Sequence, residues 1–281
     1  MGIKYLDMFS GIGGFRSALD RVGGFECVGF CEIDEKAKET YEAIYDTKGE
    51  LYFNDAREIN PNALPDIDLI CGGFPCQPFS QAGQKKGFDD TRGTLFFNIA
   101  NIIREKKPKA IFLENVRGLL NHDSGKTFEV IKNTIDELGY SLHFKVIKAS
   151  EFNLPQHRPR LYMVGFRKDI NDNFEFPQQI PLQMTMSDVF DGAKVNKDIG
   201  FTLRVGGKGS PIDDRRNWDG YLVNGEIMRI KPKQAMRMQG FPESFIFPVS
   251  ETVAMKQLGN SVAVTVIQAI AKQIIKVLDE N

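Results

Sequence analysis

The chain opens on an apolar stretch, Tyr5-Leu6-Asp7-Met8-Phe9, that reads as a strand and runs directly into Ser10-Gly11-Ile12-Gly13-Gly14. A helical pattern through Phe15, Leu19 and Val22 follows. Strand, glycine turn and helix make the opening of a nucleotide-binding α/β unit. The glycines let the backbone approach a ligand closely, and a helix N-terminus favours negative charge. The spacing is not the GxGxxG dinucleotide fingerprint, because the third glycine directly follows the second. Such a turn also serves simply to pack a helix on a strand. In open α/β sheets, ligand sites lie at the carboxyl ends of strands, so the ends of the later strands are where chemistry is sought.

The second strand, within Glu26 to Asp34, ends in acids. Glu32 stands about 20 residues beyond the glycine turn, where a ribose diol is gripped in such folds. Ile33 is placed to lie against an adenine face, and Asp34 to cap the helix that starts near Glu35. Asp55, after the short strand around Leu51-Tyr52-Phe53, is a candidate acceptor for an adenine amino group. A further buried strand, Ile67-Asp68-Leu69-Ile70-Cys71, leads into Gly72-Gly73-Phe74-Pro75-Cys76-Gln77-Pro78-Phe79-Ser80. Glycine and proline forbid a regular helix there and leave Cys76 on a stiff turn at a strand end. A thiol so placed is a candidate nucleophile, or else a small buried hydrophobe. The polar segment from Gln81 to Arg92 lacks periodicity and reads as a lid.

Leu95 to Arg104 reads as a helix, and Lys109 to Val116 as a strand ending in Glu114-Asn115. If that strand is parallel to the Cys76 strand, Glu114 and Cys76 share one sheet edge. Thr127 to Leu138 is helical. Tyr140 to Ala149 and Arg160 to Phe166 read as an antiparallel pair at a sheet edge, joined through Leu154-Pro155-Gln156-His157-Arg158-Pro159. From Lys168 the pattern weakens. Phe201 to Val205 reads as a strand, followed by a glycine loop and a basic stretch with Arg215, Arg216 and Trp218, in what reads as a small β-rich insertion. An apolar stripe through Val262, Val266, Ile270, Ile274 and Val277 marks a last helix, capped by Asn260 or Ser261, that returns to the sheet.

Composition narrows the partners. The net charge is −1, so any nucleic acid must be held by a local patch. The four cysteines and three histidines offer no zinc-site spacing, and free thiols point to a reducing, cytoplasmic setting. No metal and no membrane are expected. No apolar run approaches the ~18 residues a bilayer span requires, and the N-terminus lacks signal-peptide anatomy.

Taken together, the motifs resemble the cytosine-5 DNA methyltransferases, especially the compact bacterial restriction-modification type. Asp7 to Gly14 is similar to the family's first motif, Gly73 to Ser80 to its catalytic PCQ motif, and Glu114-Asn115-Val116 to its ENV motif. Gln156-His157-Arg158-Pro159-Arg160 resembles QxRxR, Arg204-Val205-Gly206-Gly207 the ninth motif, and Gly259-Asn260-Ser261-Val262 the tenth. Each alone is common; the full set in this order is highly specific and covers nearly the whole chain.

The resemblance implies a Rossmann-like S-adenosylmethionine-dependent methyltransferase sheet with helices on both faces, plus a small β-rich target-recognition domain. The boundaries expected are 1–167 for cofactor binding and catalysis, 168–255 for recognition, and 256–281 for a helix returning to the first domain. It implies Cys76 as nucleophile, with Glu114, Arg158 and Arg160 in the catalytic group, Arg158 chiefly as support. It implies an S-adenosyl-L-methionine pocket built from Phe9, Gly11, Ile12, Gly14, Glu32, Ile33, Asp55, Pro75 and Asn260. Double-stranded DNA is the implied partner, with the target base flipped out and Ser80, Lys85, Arg92, Arg204 and Lys208 as candidate contacts. A monomer encoded by a bacterium or phage is expected, with a cognate restriction endonuclease linked in function but not bound. One departure stands out: the stretch between Phe166 and Phe201, where the family carries most of its recognition region, is short. The competing readings are a tRNA methyltransferase, whose Cys-Phe-Thr signature is missing, a catalytically silent DNA-binding relative, and a nicotinamide oxidoreductase.

Overall fold

Alternating apolar residues that feed both faces of a sheet explain most of the architecture. The structure, a computed structural model, describes residues 2–75 and 95–281. Seven strands form one sheet: β1 (Ile3–Met8), β2 (Phe25–Cys31), β3 (Leu51–Phe53), β4 (Leu69–Gly73), β5 (Ala110–Val116), β6 (Tyr140–Lys148) and β7 (Pro159–Arg167). Their order is β3-β2-β1-β4-β5-β7-β6. β1 pairs in parallel with both β2 and β4, and β4 in parallel with β5. β7 runs antiparallel to both β5 and β6, the edge pair expected from the sequence. The order reverses between β1 and β4, which is where such sheets open a crevice.

On β5, Ala110 and Phe112 point into one core, and Ile111 and Leu113 into another. On β7, Tyr162, Val164 and Phe166 join the first, while Leu161 and Met163 join the second. This is the two-residue period of a strand buried on both faces. The first face is covered by α1 (Gly14–Val22), which packs on α8 (Val264–Asp279). The second is covered by α3 (Leu95–Lys106) and α4 (Lys126–Glu137). As expected, Asp34 caps α2 (Glu35–Ile44), accepting from the N–H groups of Lys36 and Ala37.

Residues 168–260 depart from the reading in detail. Phe201–Val205 is not a strand; it has no ladder partner. Strand structure is limited to one hairpin, β8 (Gly220–Val223) with β9 (Glu226–Arg229). The rest is irregular chain and three helices: α5 (Met186–Val189), α6 (Pro232–Gln239) and α7 (Glu251–Asn260). Their apolar side chains, among them Met186, Trp218, Tyr221 and Met238, are continuous with the core on the first face of the sheet. Asn260 ends α7 instead of capping α8, and the residue before α8 is Ala263, with no side-chain cap. The segment Glu251–Asp279 is apolar enough by composition to cross a bilayer, but it breaks at residues 261–263 and most of its surface is buried against the protein.

Candidate active site at the strand ends

A cavity of about 640 Å³ opens at the carboxyl ends of β1 to β5. All nine residues expected around a cofactor line it: Phe9, Gly11, Ile12, Gly14, Glu32, Ile33, Asp55, Pro75 and Asn260. Leaving β1, Phe9 takes a left-handed backbone (φ 54°), unusual for a non-glycine residue and a mark of a constrained site. The turn is then fixed by Glu32, whose Oε2 accepts from the Gly11 N–H (2.8 Å) and Oε1 from the Asp34 N–H (2.7 Å). Burial pushes the Glu32 carboxyl up, and these amides pull it back. Ile33 remains 60% exposed, an apolar face beside the cavity. A β-carbon on Gly14 would meet Val262 Cγ2 at 2.6 Å and Ser261 Oγ at 2.8 Å, so only glycine lets the first turn close on the Asn260–Val262 wall.

Asp55 also faces the cavity, but both its oxygens hold Arg57: Nε at 3.0 and 2.9 Å, and Nη2 at 2.5 Å. The Arg57 guanidinium keeps this carboxyl below the usual range. Ser10 Oγ is buried at the cavity and has no hydrogen-bond partner among the described residues. An orphaned hydroxyl, two carboxylates at successive strand ends and an exposed apolar side chain are what a nucleoside with a charged tail would satisfy. The cavity volume is within the usual ligand-site range of ~300–1,000 Å³.

The other half of the cavity carries the charges. Glu114 and Arg160 stand on the same face of the sheet, because β5 and β7 pair Glu114 with Tyr162 and Val116 with Arg160. Arg160 Nε lies 3.0 Å from Glu114 Oε1, with both side chains largely buried. Burial pushes the Glu114 carboxyl up, opposed by Arg160 and then Arg158. The neighbouring Asn115 turns to the opposite face and donates to the Phe74 carbonyl (2.8 Å), tying β5 to the chain that leads toward Cys76. Arg158 lines the cavity too, but its guanidinium is engaged with the carbonyls of Leu203 (3.4 Å), Gly259 (3.1 Å) and Ser261. Burial pushes it down to about 9.

Cys76, Ser80, Lys85, Arg92 and the lid expected from Gln81 to Arg92 lie outside the described residues. Arg204 and Lys208 are exposed in the loop after Leu203 and do not line the cavity. Neither has a hydrogen bond or ion pair among the described residues. Among the described residues there is no cluster of potential metal ligands. Sequence reasoning missed Ser10, Arg57 and Lys256 as lining residues. Arg57 was within reach, two residues after an aspartate at a turn; Lys256 was not, because it sits on a helix whose apolar pattern is weak. Lys256 Nζ lies 3.5 Å from Asp34 Oδ2 beside the cavity.

Comparison with known proteins agrees with this geometry. The family profile described as C-5 cytosine-specific DNA methylase matches residues 3–210 and 197–276. The type II methyltransferase M.HhaI of Haemophilus parahaemolyticus is 40% identical, covering 97% of this chain and 94% of its own. M1.ScrFI of Lactococcus lactis subsp. cremoris, also a type II methyltransferase, is 43% identical over 99% of this chain and 79% of its own. Among solved structures, a Spodoptera frugiperda DNMT2 mutant superposes with a TM-score of 0.75 at 18% identity, covering 98% of this chain and 99% of that one.

Proposed function

The chain belongs to the C-5 cytosine-specific DNA methylase family, and from that premise we propose how its residues methylate carbon-5 of cytosine within a short sequence of double-stranded DNA. The observation that carries the reading is the buried Glu114–Arg160 pair at the rim of a cavity large enough for a nucleoside cofactor.

Carbon-5 of cytosine is too weak a nucleophile to take a methyl group unaided. Cys76 adds its thiolate to carbon-6, forming the S–C bond and moving electron density to carbon-5; this assignment rests on the sequence motif. Glu114 meets ring nitrogen 3 and the exocyclic amino group. Burial raises its carboxyl against the pull of Arg160 and Arg158, so it takes up a proton more readily than a free glutamate and can share it with nitrogen 3 as negative charge builds there. Arg160 holds the ring carbonyl oxygen and keeps Glu114 in orientation. Arg158 supports both from behind. Once carbon-5 carries the methyl group, a base, for which water can serve, takes the carbon-5 proton, and the S–C bond breaks to release the thiolate and restore the aromatic ring.

S-adenosylmethionine, when bound, supplies the electrophilic methyl group. Glu32 is placed for the ribose hydroxyls and Ile33 for the adenine face. Asp55 would accept from the adenine amino group while sharing its oxygens with Arg57. Phe9, Gly11, Ile12, Gly14, Pro75 and Asn260 complete the walls. The target base leaves the stack to reach this site, at a cost of a few kcal/mol.

Residues 168–255 serve recognition, with Arg204 and Lys208 on phosphates and Ser80, Lys85 and Arg92 on the catalytic side. The short stretch between Phe166 and Phe201 supports a recognition region limited to a short site. The type II relatives support a modification role, and with it we infer a cytoplasmic location, action as a monomer and a restriction endonuclease linked in function but not bound.

The test is transfer of a labelled methyl group from S-adenosylmethionine to duplex DNA, mapped by bisulfite sequencing, with total tRNA in parallel. Methylation of cytosine in one short DNA context is expected, and Cys76→Ser should abolish it while cofactor binding survives. Labelling of tRNA alone would overturn the DNA assignment, and turnover by Cys76→Ser would overturn the nucleophile.

A further inference from the structure

Behind the cavity wall, two glutamines that the chemistry does not touch are fully buried: Gln156, just before β7, and Gln239, the last residue of α6. Both amides use their two donors and their acceptor. Gln156 Nε2 donates to the Met238 carbonyl (2.9 Å) and to Gln239 Oε1 (3.1 Å), and its Oε1 accepts from the Leu203 N–H (3.0 Å). Gln239 Nε2 donates to the carbonyls of Leu258 (2.7 Å) and Ser261 (3.1 Å). Arg158 closes the same ring, reaching the Leu203 carbonyl on one side and Gly259 and Ser261 on the other.

The two segments joined in this way face different parts of the molecule. Gly259 to Ser261 is cavity wall, whereas Leu203 and Arg204 are not, and lead into the exposed loop that carries Lys208. Their backbones also touch. A β-carbon on Gly259 would lie 2.7 Å from the Arg204 carbonyl oxygen and 2.8 Å from its carbon. Arg158 Nε is left without a partner among the described residues, but both glutamine amides are fully paired, and a shift of either would strand a polar group away from water. Movement of the wall is therefore passed to Leu203 instead of being absorbed.

We propose that Gln239, seated between Gln156 and the cavity wall, is a positioning residue that links occupancy of the cofactor cavity to the placement of the recognition segment beginning at Leu203. The inference rests on the reading above, in which the cavity takes S-adenosylmethionine and the Leu203–Lys208 segment meets DNA. Linkage is reciprocal, so cofactor and DNA should each tighten the other by the same factor, within the ~5–150-fold range common for coupled sites.

Two measurements test it. In the unmodified protein without DNA, saturation with S-adenosylhomocysteine should slow amide exchange in residues 201–206 by on the order of threefold or more, although these residues do not line the cavity. In Gln239→Met, which keeps the volume and removes the donors, the coupling between S-adenosylhomocysteine and duplex DNA should fall toward one. Cofactor affinity without DNA should stay within about threefold of the unmodified protein. Gly259→Ala, which pushes the two backbones apart by another route, should lower the same coupling. If the unmodified protein binds both ligands but residues 201–206 gain no protection, the inference is overturned, whatever the variants do. Coupling in Gln239→Met equal to that of the unmodified protein also overturns it. Failure of the unmodified protein to bind S-adenosylhomocysteine at all would instead overturn the cofactor assignment itself.

Discussion

Two buried carboxyl groups beside arginines, one on β1 and one near the end of β5, meet opposite fates. Asp7 is 0% exposed, and its Oδ1 has no partner among the described residues. Burial pushes it up to about 8, with Arg16 opposing. Arg16 is committed elsewhere: to Glu50 at 2.6 Å, to the Asp46 carbonyl at 3.1 Å, and to the rings of Tyr45 and Tyr41. Asp7 is thus a neutral piece of core at ordinary pH. Glu114 is nearly as buried, yet its arginine turns to it directly and it lines an open cavity. Burial raises both carboxyls; a dedicated cation and an opening for a ring are what make one of them useful.

The comparison is sharpened most by Glu114→Gln. It should lower the methyl-transfer rate by about 10²–10³-fold, read in single-turnover assays, while duplex affinity changes far less. A collapse of binding with the chemical step intact would erase the distinction. Arg160→Lys keeps the charge but loses the planar fork, and should cost about 10-fold or more in the same assay. Asp7→Asn should leave the rate within about twofold and act on stability instead. With its folded value near 8 and an ordinary value near 4, native Asp7 binds more protons than the unfolded chain between those limits. Stability of the unmodified protein therefore falls as pH rises through that window. The variant lacks this slope, so its melting temperature relative to the unmodified protein should be higher at pH 9 than at pH 5; an unchanged difference would show that Asp7 is not perturbed. The smallest effect belongs to Arg57→Ala, where an exposed arginine pairs with the cavity-facing Asp55. Surface pairs contribute little, so stability should change by no more than ~1 kcal/mol. Cofactor affinity should rise slightly, by less than about threefold, as Asp55 is freed.

The sheet was legible because its strands carry their burial in their own letters. Leu69-Ile70-Cys71 and Ala110 to Leu113 are apolar on both faces, and the glycines after β1 announce the turn. The nine residues that the family resemblance implied for the pocket do line the cavity. The middle of the chain was less legible, because its order comes from contacts between distant segments. Phe201–Val205 has strand composition but no partner edge, and instead Leu203 is held by Gln156 and Arg158. Gln156 is marked in sequence only as part of a motif and Gln239 not at all; the meeting of β7, α6 and the wall after α7 buries them. Asn260, expected from the sequence as a cap of the last helix, instead ends α7, and the Ser261–Val262 turn that follows it packs against Gly14.

The reversed direction of β7 has a consequence for how such chains can change. Glu114 and Arg160 meet through the β5–β7 ladder, although the chain between them carries α4 and β6, both packed on the sheet. Only the largely exposed turn at residues 121–125 can lengthen cheaply, for roughly 0.6 kcal/mol per doubling of a flexible loop. A slip of one residue in the ladder would turn Arg160 to the opposite side of the sheet and dissolve the pair. Insertion and deletion are thus cheap in that turn and ruinous within β5, β6 and β7, so length can vary there while Glu114 and Arg160 stay in register.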